Sequence, residues 1–528
     1  MIGLRILRAA SGVLMAHRAI HAIAALAVFI AESEGLRAAD AVTSPGVRLG
    51  AIELRDRIDH RIDEARFAGA RWGVLVVSLD SGRLIYSRNE NLLFIPASNT
   101  KLFTAGLALE RLGADFRVRT SLYGHERPDR QGRLRGDLLL FGRGDPSFAT
   151  RGEHGMSGST LEGLAGALLQ SGVRFVRGNL LVNDHYFSDS AYGAGWMVED
   201  LDSYYCPEVS ALSFNDNVAA WRVAPGPAVS SPARVGMIEP DTGLVWSNRA
   251  TTVAAKASTR ISGSRYLGQN RGVVTGTIAV DAPPATNLIT VHDPALWFGR
   301  ALAARLRARG VTISGSVRAA AAQGQEAERL PGGNWRELAM LESPPLRELL
   351  PGVMKPSNNL HAQLLFLLVG AQAGPAPEPL STSQASVAAL EAWMRGVLSP
   401  GLLPRLEEGA GLSRRNGASP RHIVDLLRHM DRHASASVFK ESLPVAGVDG
   451  TLKQRMRGTL AENNLRAKTG SLRGVSSLSG YVTTLTGERL AFAILLNDYI
   501  AEPGQPAGRD EVDAIAVMLP QYGETARP

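Results

Sequence analysis

The texture of the chain changes twice along its length, and this change constrains the fold more than any single motif. The runs 73–79 and 83–87, separated by Asp80-Ser81-Gly82, have the apolar pattern and turn chemistry of a β-hairpin. A charged helical stretch precedes them at 53–67, and a helix-compatible segment follows at 97–112, entered after Pro96 and stopped by Gly113. From about residue 107 to 289 the pattern gives way to short strand-like runs broken by Gly, Asp and Pro, among them 138–141, 142–146 and 179–183. Helical periodicity returns at 294–309, 358–369, 383–394 and 420–433, with a Gly/Ala/Pro loop at 370–379. A second hairpin, 475–484 and 489–497 around Leu485-Thr486-Gly487, precedes a closing helix at 510–519. An α+β fold, with an antiparallel sheet between helical layers and a β-rich insert interrupting it, accommodates all of these elements.

With 528 residues the chain exceeds one ordinary core, and 45% hydrophobic against 20% charged residues makes it globular, of two or three domains. Its first residues read as a secretory signal: Arg5, Arg8 and Arg18, an apolar run from Ala19 to Ala31, then Ala39-Asp40-Ala41 as a cleavage site. The apolar run is shorter than a membrane-spanning helix needs, and the segment from Met15 onward is by itself a complete signal. The net charge of +7 becomes +6 when cleavage after Ala41 removes four arginines and three acids, a balance suited to an anionic wall or membrane surface. No basic run with interleaved aromatics points to nucleic acid. Cys206 is the only cysteine, so no intrachain disulfide forms.

Ser98-Asn99-Thr100-Lys101 sets a hydroxyl and an amine three residues apart on one face of a helix start. A serine beside an amine that can give up its proton is an activated nucleophile, and the helix N-terminus directs N–H groups at a developing oxyanion. The same spacing recurs at Ser437-Val438-Phe439-Lys440, so it needs an arbiter. Only six of the 57 basic residues are lysine (101, 256, 355, 440, 453 and 468), and arginine cannot act as a base. Lys101 follows a hairpin and opens a helix; Lys440 precedes Glu441 and lacks that context. Lys468-Thr469-Gly470-Ser471 lies just before the terminal hairpin, where an edge strand would present a cation, a hydroxyl and a glycine that lets substrate approach the backbone. Ser357-Asn358-Asn359 falls between these two motifs, although Ser-x-Asn also occurs at Ser87 and Ser213. His429 and His433 have the spacing of a zinc pair but lack the following Glu and a third ligand, so no metal site is expected.

Ser-x-x-Lys, Ser-x-Asn and Lys-Thr-Gly in this order resemble the signature of penicillin-binding proteins and serine β-lactamases. The strings 142–148 (GRGDPSF), 444–452 (PVAGVDGTL) and 467–471 (AKTGS) are similar to those of the low-molecular-mass class C penicillin-binding proteins. This resemblance spans about residues 46–520 and implies a penicillin-binding-protein/serine β-lactamase-like transpeptidase domain in two parts, 46–106 and 290–522. Between them lies a β-rich inserted region, 107–289, of one or two subdomains, and the signal peptide is 1–41. It also implies an exported, periplasmic serine D-alanyl-D-alanine carboxypeptidase that acts on peptidoglycan stem peptides through an acyl-enzyme and is inhibited by β-lactams. No cofactor is required. Endopeptidase action on peptidoglycan cross-links, with the same residues, is the alternative within the class. A non-catalytic penicillin-sensing or wall-binding protein is the alternative outside it.

By the same resemblance Ser98 attacks the penultimate D-alanine carbonyl, with Lys101 the proton acceptor and the Ser98 and Ser471 N–H groups holding the oxyanion. Ser357 passes the proton on, Asn359 orients the substrate amide, and Lys468 and Thr469 bind the terminal carboxylate beside Gly470. A pocket for the substrate's diamino acid is expected at Arg414, Arg473 and, from the insert, Asp184. Two departures from the family stand out. Glu408-Gly409-Ala410-Gly411-Leu412-Ser413-Arg414 replaces an Asp-Gly-Ser-Gly-Leu-Ser-Arg loop, and His361 takes an expected aromatic position and is read as structural.

Overall fold

The structure, a computed structural model, describes residues 48–149, 160–320, 334–373 and 380–523; the expected signal segment and most of the 370–379 loop lie outside these. A five-stranded antiparallel sheet draws on both ends of the chain, in the order Arg466–Leu472, Val475–Thr483, Arg489–Asn497, Arg71–Ser78, Leu84–Arg88. Its central strands, Arg489–Asn497 and Arg71–Ser78, are apolar on both sides because both sides are covered. Along Arg489–Asn497, Leu490, Phe492, Ile494 and Leu496 enter a core shared with the helices Ala51–Ile62 and Gly508–Ala516. The alternate residues Ala491, Ala493 and Leu495 enter a second core with Thr100–Arg111, Asn359–Ala371, Thr382–Val397 and Pro420–Arg432. Small side chains on this face let Pro420–Arg432 lie close across the sheet. That helix starts where its sequence directs: Ser419 accepts a hydrogen bond from the His422 N–H, and Pro420 occupies the first turn. The antiparallel sheet between helical layers is therefore as expected, and among the described residues no helix is long and apolar enough to cross a membrane.

The inserted chain builds a second five-stranded sheet, Val317–Ala319, Leu180–Asn183, Leu138–Phe141, Arg119–Gly124 and Arg336–Glu342, packed on the helices Leu161–Gln170 and Pro294–Ala308. Two three-stranded sheets enclose a smaller core around Trp221, Val223, Val274 and Ile278. One expectation shifts here. Residues 142–146 form no strand: Gly144 takes a left-handed φ of 88°, which breaks the extended run. Farther along, Pro294–Ala308 buries Trp297, Phe298 and Leu302 in the same core as Leu138–Phe141, and Arg336–Glu342 pairs with Arg119–Gly124.

Candidate active site

Ser98 sits in the 3-10 turn Ala97–Asn99 that leads into the helix Thr100–Arg111. Ala97 adopts a left-handed φ of 48°, which a non-glycine residue holds only where its surroundings dictate it. Those surroundings are the edge strand. Buried Asn99 donates to the Lys468 carbonyl at 3.2 Å and to Ser477 Oγ at 2.7 Å, and Ser477 Oγ donates to the Pro96 carbonyl at 2.9 Å. The strand can approach this closely only because residue 470 is glycine: a Cβ there would lie 2.2 Å from Ser477 Oγ, 2.7 Å from the Pro96 carbonyl oxygen and 3.1 Å from the Ser98 nitrogen. Gly470→Ala is therefore expected to destabilise the fold by about 1–3 kcal/mol and to slow acylation. A thermal melt together with the rate of labelling by a fluorescent penicillin checks both effects.

Lys101 is fully buried, and its Nζ lies 3.0 Å from Ser98 Oγ, 2.6 Å from Asn359 Oδ1 and 2.5 Å from the Ala410 carbonyl oxygen. Burial pushes its pKa down to about 7, against the upward pull of the Glu408 carboxylate. A neutral amine has two N–H bonds and one lone pair. Asn359 Oδ1 and the Ala410 carbonyl can only accept, so they take both N–H groups, and the lone pair is left facing the Ser98 hydroxyl. The arrangement can thus remove the serine proton near neutral pH.

Lys468 is likewise fully buried, donating to Ser357 Oγ at 2.8 Å and to the Thr469 carbonyl at 2.9 Å. Burial, and then the charges of Lys101 and Arg455, hold its pKa well below the ordinary lysine value. Ser357 is in a left-handed turn, φ 63°, just ahead of the helix Asn359–Ala371, which Asn358 caps by accepting from the His361 N–H at 3.0 Å. Thr469 Oγ1 donates to Thr451 Oγ1 at 2.8 Å, and Ala467 N–H to the Pro444 carbonyl at 3.0 Å, so the 444–452 string braces the edge strand from behind. Ser471 is exposed on that strand, opposite Ser476.

Several residues here take roles that residue type and spacing do not indicate. Glu408 is buried and accepts from the Ala410 and Gly411 N–H groups at 2.8 and 2.7 Å, from Asn416 Nδ2 at 2.7 Å and from the Trp196 indole at 3.2 Å. Its carboxylate ties together the 408–416 loop, in which the Ala410 carbonyl faces Lys101. The insert also reaches in: the Tyr205 carbonyl accepts from Asn359 Nδ2 at 2.8 Å, and Asp216 lies 2.7 Å from Nε2 of buried His361.

The other sequence candidates separate. Arg414 Nη2 donates to the Arg473 carbonyl at 2.9 Å, so these two stand together beyond the edge strand. Asp184 instead accepts from Ser210 Oγ at 2.7 Å, and no described contact links it to either arginine. Lys440, of the second Ser-x-x-Lys, is ion-paired with Asp431. His433 Nε2 faces Glu110 at 3.2 Å, and no group of described residues could hold a metal ion. Cys206 is buried, which pushes its thiol pKa up and leaves it unsuited to nucleophilic attack.

The D-Ala-D-Ala carboxypeptidase 3 (S13) family pattern matches residues 54–521. The chain belongs to this family. A D-alanyl-D-alanine carboxypeptidase of an Actinomadura species is 38% identical over 498 residues, covering 92% of this chain and 87% of the relative. The D-alanyl-D-alanine carboxypeptidase DacB of Haemophilus influenzae is 26% identical over 450 residues, covering 82% and 86%. The crystal structure of penicillin binding protein 4 (dacB) from Haemophilus influenzae matches with a TM-score of 0.73 at 24% identity, over 88% of this chain and 98% of that one. A second structure of that protein, complexed with a β-lactam, matches with a TM-score of 0.67. The expected penicillin-binding-protein-type fold and the expected class of serine D-alanyl-D-alanine carboxypeptidase are both borne out.

Proposed function

We propose that Ser98 attacks the carbonyl of the penultimate D-alanine of a peptidoglycan stem peptide, with Lys101 as base, and that water hydrolyses the acyl-enzyme. The observation that carries this reading is the set of partners around Lys101 Nζ, which leaves its lone pair on Ser98 Oγ. The proton passes from Lys101 to the departing amine through Ser357, beside Lys468, and the N–H groups of Ser98 and Ser471 hold the oxyanion. Lys468 and Thr469 bind the terminal carboxylate. Because burial disfavours the charged form of Lys468, an arriving carboxylate supplies the missing counter-charge, and a free C-terminus is recognised through a charge-assisted bond. Asn359 orients the substrate amide.

The catalytic unit in this reading is 48–112 with 343–523, and the insert is 113–342. The protein acts outside the cytoplasm after loss of residues 1–41, and its mild positive charge favours peripheral association with an anionic surface. The test is incubation of purified protein with a peptidoglycan pentapeptide and with cross-linked dimers, followed by product masses. Repeated release of one D-alanine from the pentapeptide supports the reading. Cleaved dimers with an intact pentapeptide would reassign it to endopeptidase action, and a single acylation without turnover would reassign it to a sensor.

Arg414, whose guanidinium reaches the Arg473 carbonyl, and Arg473 fit a carboxylate on the diamino acid of the stem, with Asp184, which accepts from Ser210 through one oxygen, the candidate for its amine. Each charge-assisted contact is worth roughly 1.5–3 kcal/mol, so Arg414→Ala or Arg473→Ala should lower kcat/KM about 10-fold or more for diaminopimelate peptides, with little change for lysine peptides. Discrimination that survives unchanged in both variants would sink the pocket.

A further inference from the structure

The helix Asn359–Ala371 is gripped by the insert at two points on its first turn, by the Tyr205 carbonyl at Asn359 and by Asp216 at His361. These two insert residues lie near the ends of one strap, 205–217. At its far end Asn215, Asp216 and Asn217 all have left-handed φ values, 50°, 59° and 55°. Asn215 N–H donates to the Phe148 carbonyl at 2.9 Å, and Asn217 Nδ2 to the Glu208 carbonyl at 2.8 Å. Glu208, buried, is in turn held by the Asp293 N–H at 3.0 Å and faces His292 Nδ1 at 2.9 Å.

The strap's near end decides how Asn359 serves Lys101. A primary amide can present either its oxygen or its NH2, and a neutral amine with a lone pair tolerates both. The Tyr205 carbonyl accepts only, so it claims the Asn359 NH2 and turns Oδ1 to Lys101. Were the amide to flip, its N–H would occupy the lone pair that faces Ser98. We propose that Asp216 and His361 are positioning residues for the reaction: the contact of half-buried Asp216 with buried His361 anchors the strap so that the Tyr205 carbonyl keeps Asn359 an acceptor toward Lys101. The inserted region thereby takes part in readying the nucleophile. This rests on the reading of Lys101 as the base.

The test is the second-order rate of acylation by benzylpenicillin between about pH 5 and pH 9, alongside kcat and KM on a pentapeptide. Asp216→Gly removes the carboxylate at a left-handed position that glycine tolerates, and His361→Met fills the buried site without an N–H donor. Both should lower the acylation plateau and kcat by about 10-fold or more with KM little changed. The midpoint of the acid limb should move to lower pH, because an acceptor that favours the ammonium form is lost while Glu408 and Lys468 still face Lys101. His361→Gln, whose amide can still donate to Asp216, should restore most of the rate. Leu168→Ala, in the insert's own core, controls for stability: it should lower the melting temperature without moving the midpoint. Wild-type plateau and midpoint in folded Asp216→Gly and His361→Met would overturn the latch, as would the same midpoint shift in Leu168→Ala. Wild-type protein that never acquires a covalent adduct would overturn the base assignment as well.

Discussion

Wild-type protein incubated with benzylpenicillin gains the mass of one drug molecule, Ser98→Ala gains none, and Ser437→Ala gains it as wild type does. The strained lactam amide mimics the scissile bond, so it reports on whichever hydroxyl is activated. The two Ser-x-x-Lys pairs share a spacing and differ in what surrounds the amine. Lys440 lies against Asp431 and over the Tyr481 ring, 5.3 Å from its centroid, and no described contact joins its amine to Ser437. Lys101 is dry, with two acceptors for its two N–H bonds and the serine hydroxyl on the remaining side. Loss of a nucleophile costs on the order of a million-fold in rate where it has been isolated in serine hydrolases. Residual labelling of Ser98→Ala at a few per cent of the wild-type rate would therefore already place the nucleophile elsewhere.

The local parts of this site were legible because the chemistry and the structure share a short repeat. Ser98 and Lys101 are one helical turn apart, and Lys468 to Ser471 lie along one strand, so spacing alone put each group on its element. The helix Pro420–Arg432 and the hairpin Val475–Thr483/Arg489–Asn497 were legible for the same reason: they are long, strongly patterned and punctuated by proline or glycine. What is not legible is non-local. Nothing in residues 336–342 says that they pair with 119–124. Asp184 is expected from its place in the chain alone, which does not fix a spatial neighbour, and its described partner is Ser210. Two backbone acceptors are also hidden, the Ala410 carbonyl that takes an N–H of Lys101 and the Tyr205 carbonyl that takes the NH2 of Asn359, because a carbonyl leaves no trace in residue type. Glu408 was visible only as a departure from the family loop. Its role depends on donors brought together from the loop itself and from Trp196, more than two hundred residues earlier.

Lys101→Arg should keep the positive charge and lose acylation by about a thousand-fold, because a guanidinium stays protonated and cannot accept the serine proton. Lys468→Arg should retain measurable activity, since a cation for the substrate carboxylate remains. Wild-type acylation should rise with pH through about 7, where Lys101 loses its proton. The same depression has a consequence for stability that is independent of catalysis. In the unfolded chain this lysine holds its proton up to about pH 10, whereas the folded chain releases it near 7. Between these values the unfolded state binds more protons, so this group's contribution makes stability rise with pH from about 7 to about 10. Below 7 the folded state carries the full cost of a buried ammonium, on the order of several kcal/mol. Lys101→Met removes that cost but leaves Asn359 Oδ1 and the Ala410 carbonyl without their donor, a penalty of about 1–3 kcal/mol each that does not depend on pH. The stability of Lys101→Met relative to wild type should therefore increase steadily as pH falls from about 10 to about 7, as read from denaturant midpoints across that range. A difference that stays flat would mean that Lys101 keeps its ordinary pKa in the folded chain, and a lysine of ordinary pKa cannot take the Ser98 proton at neutral pH.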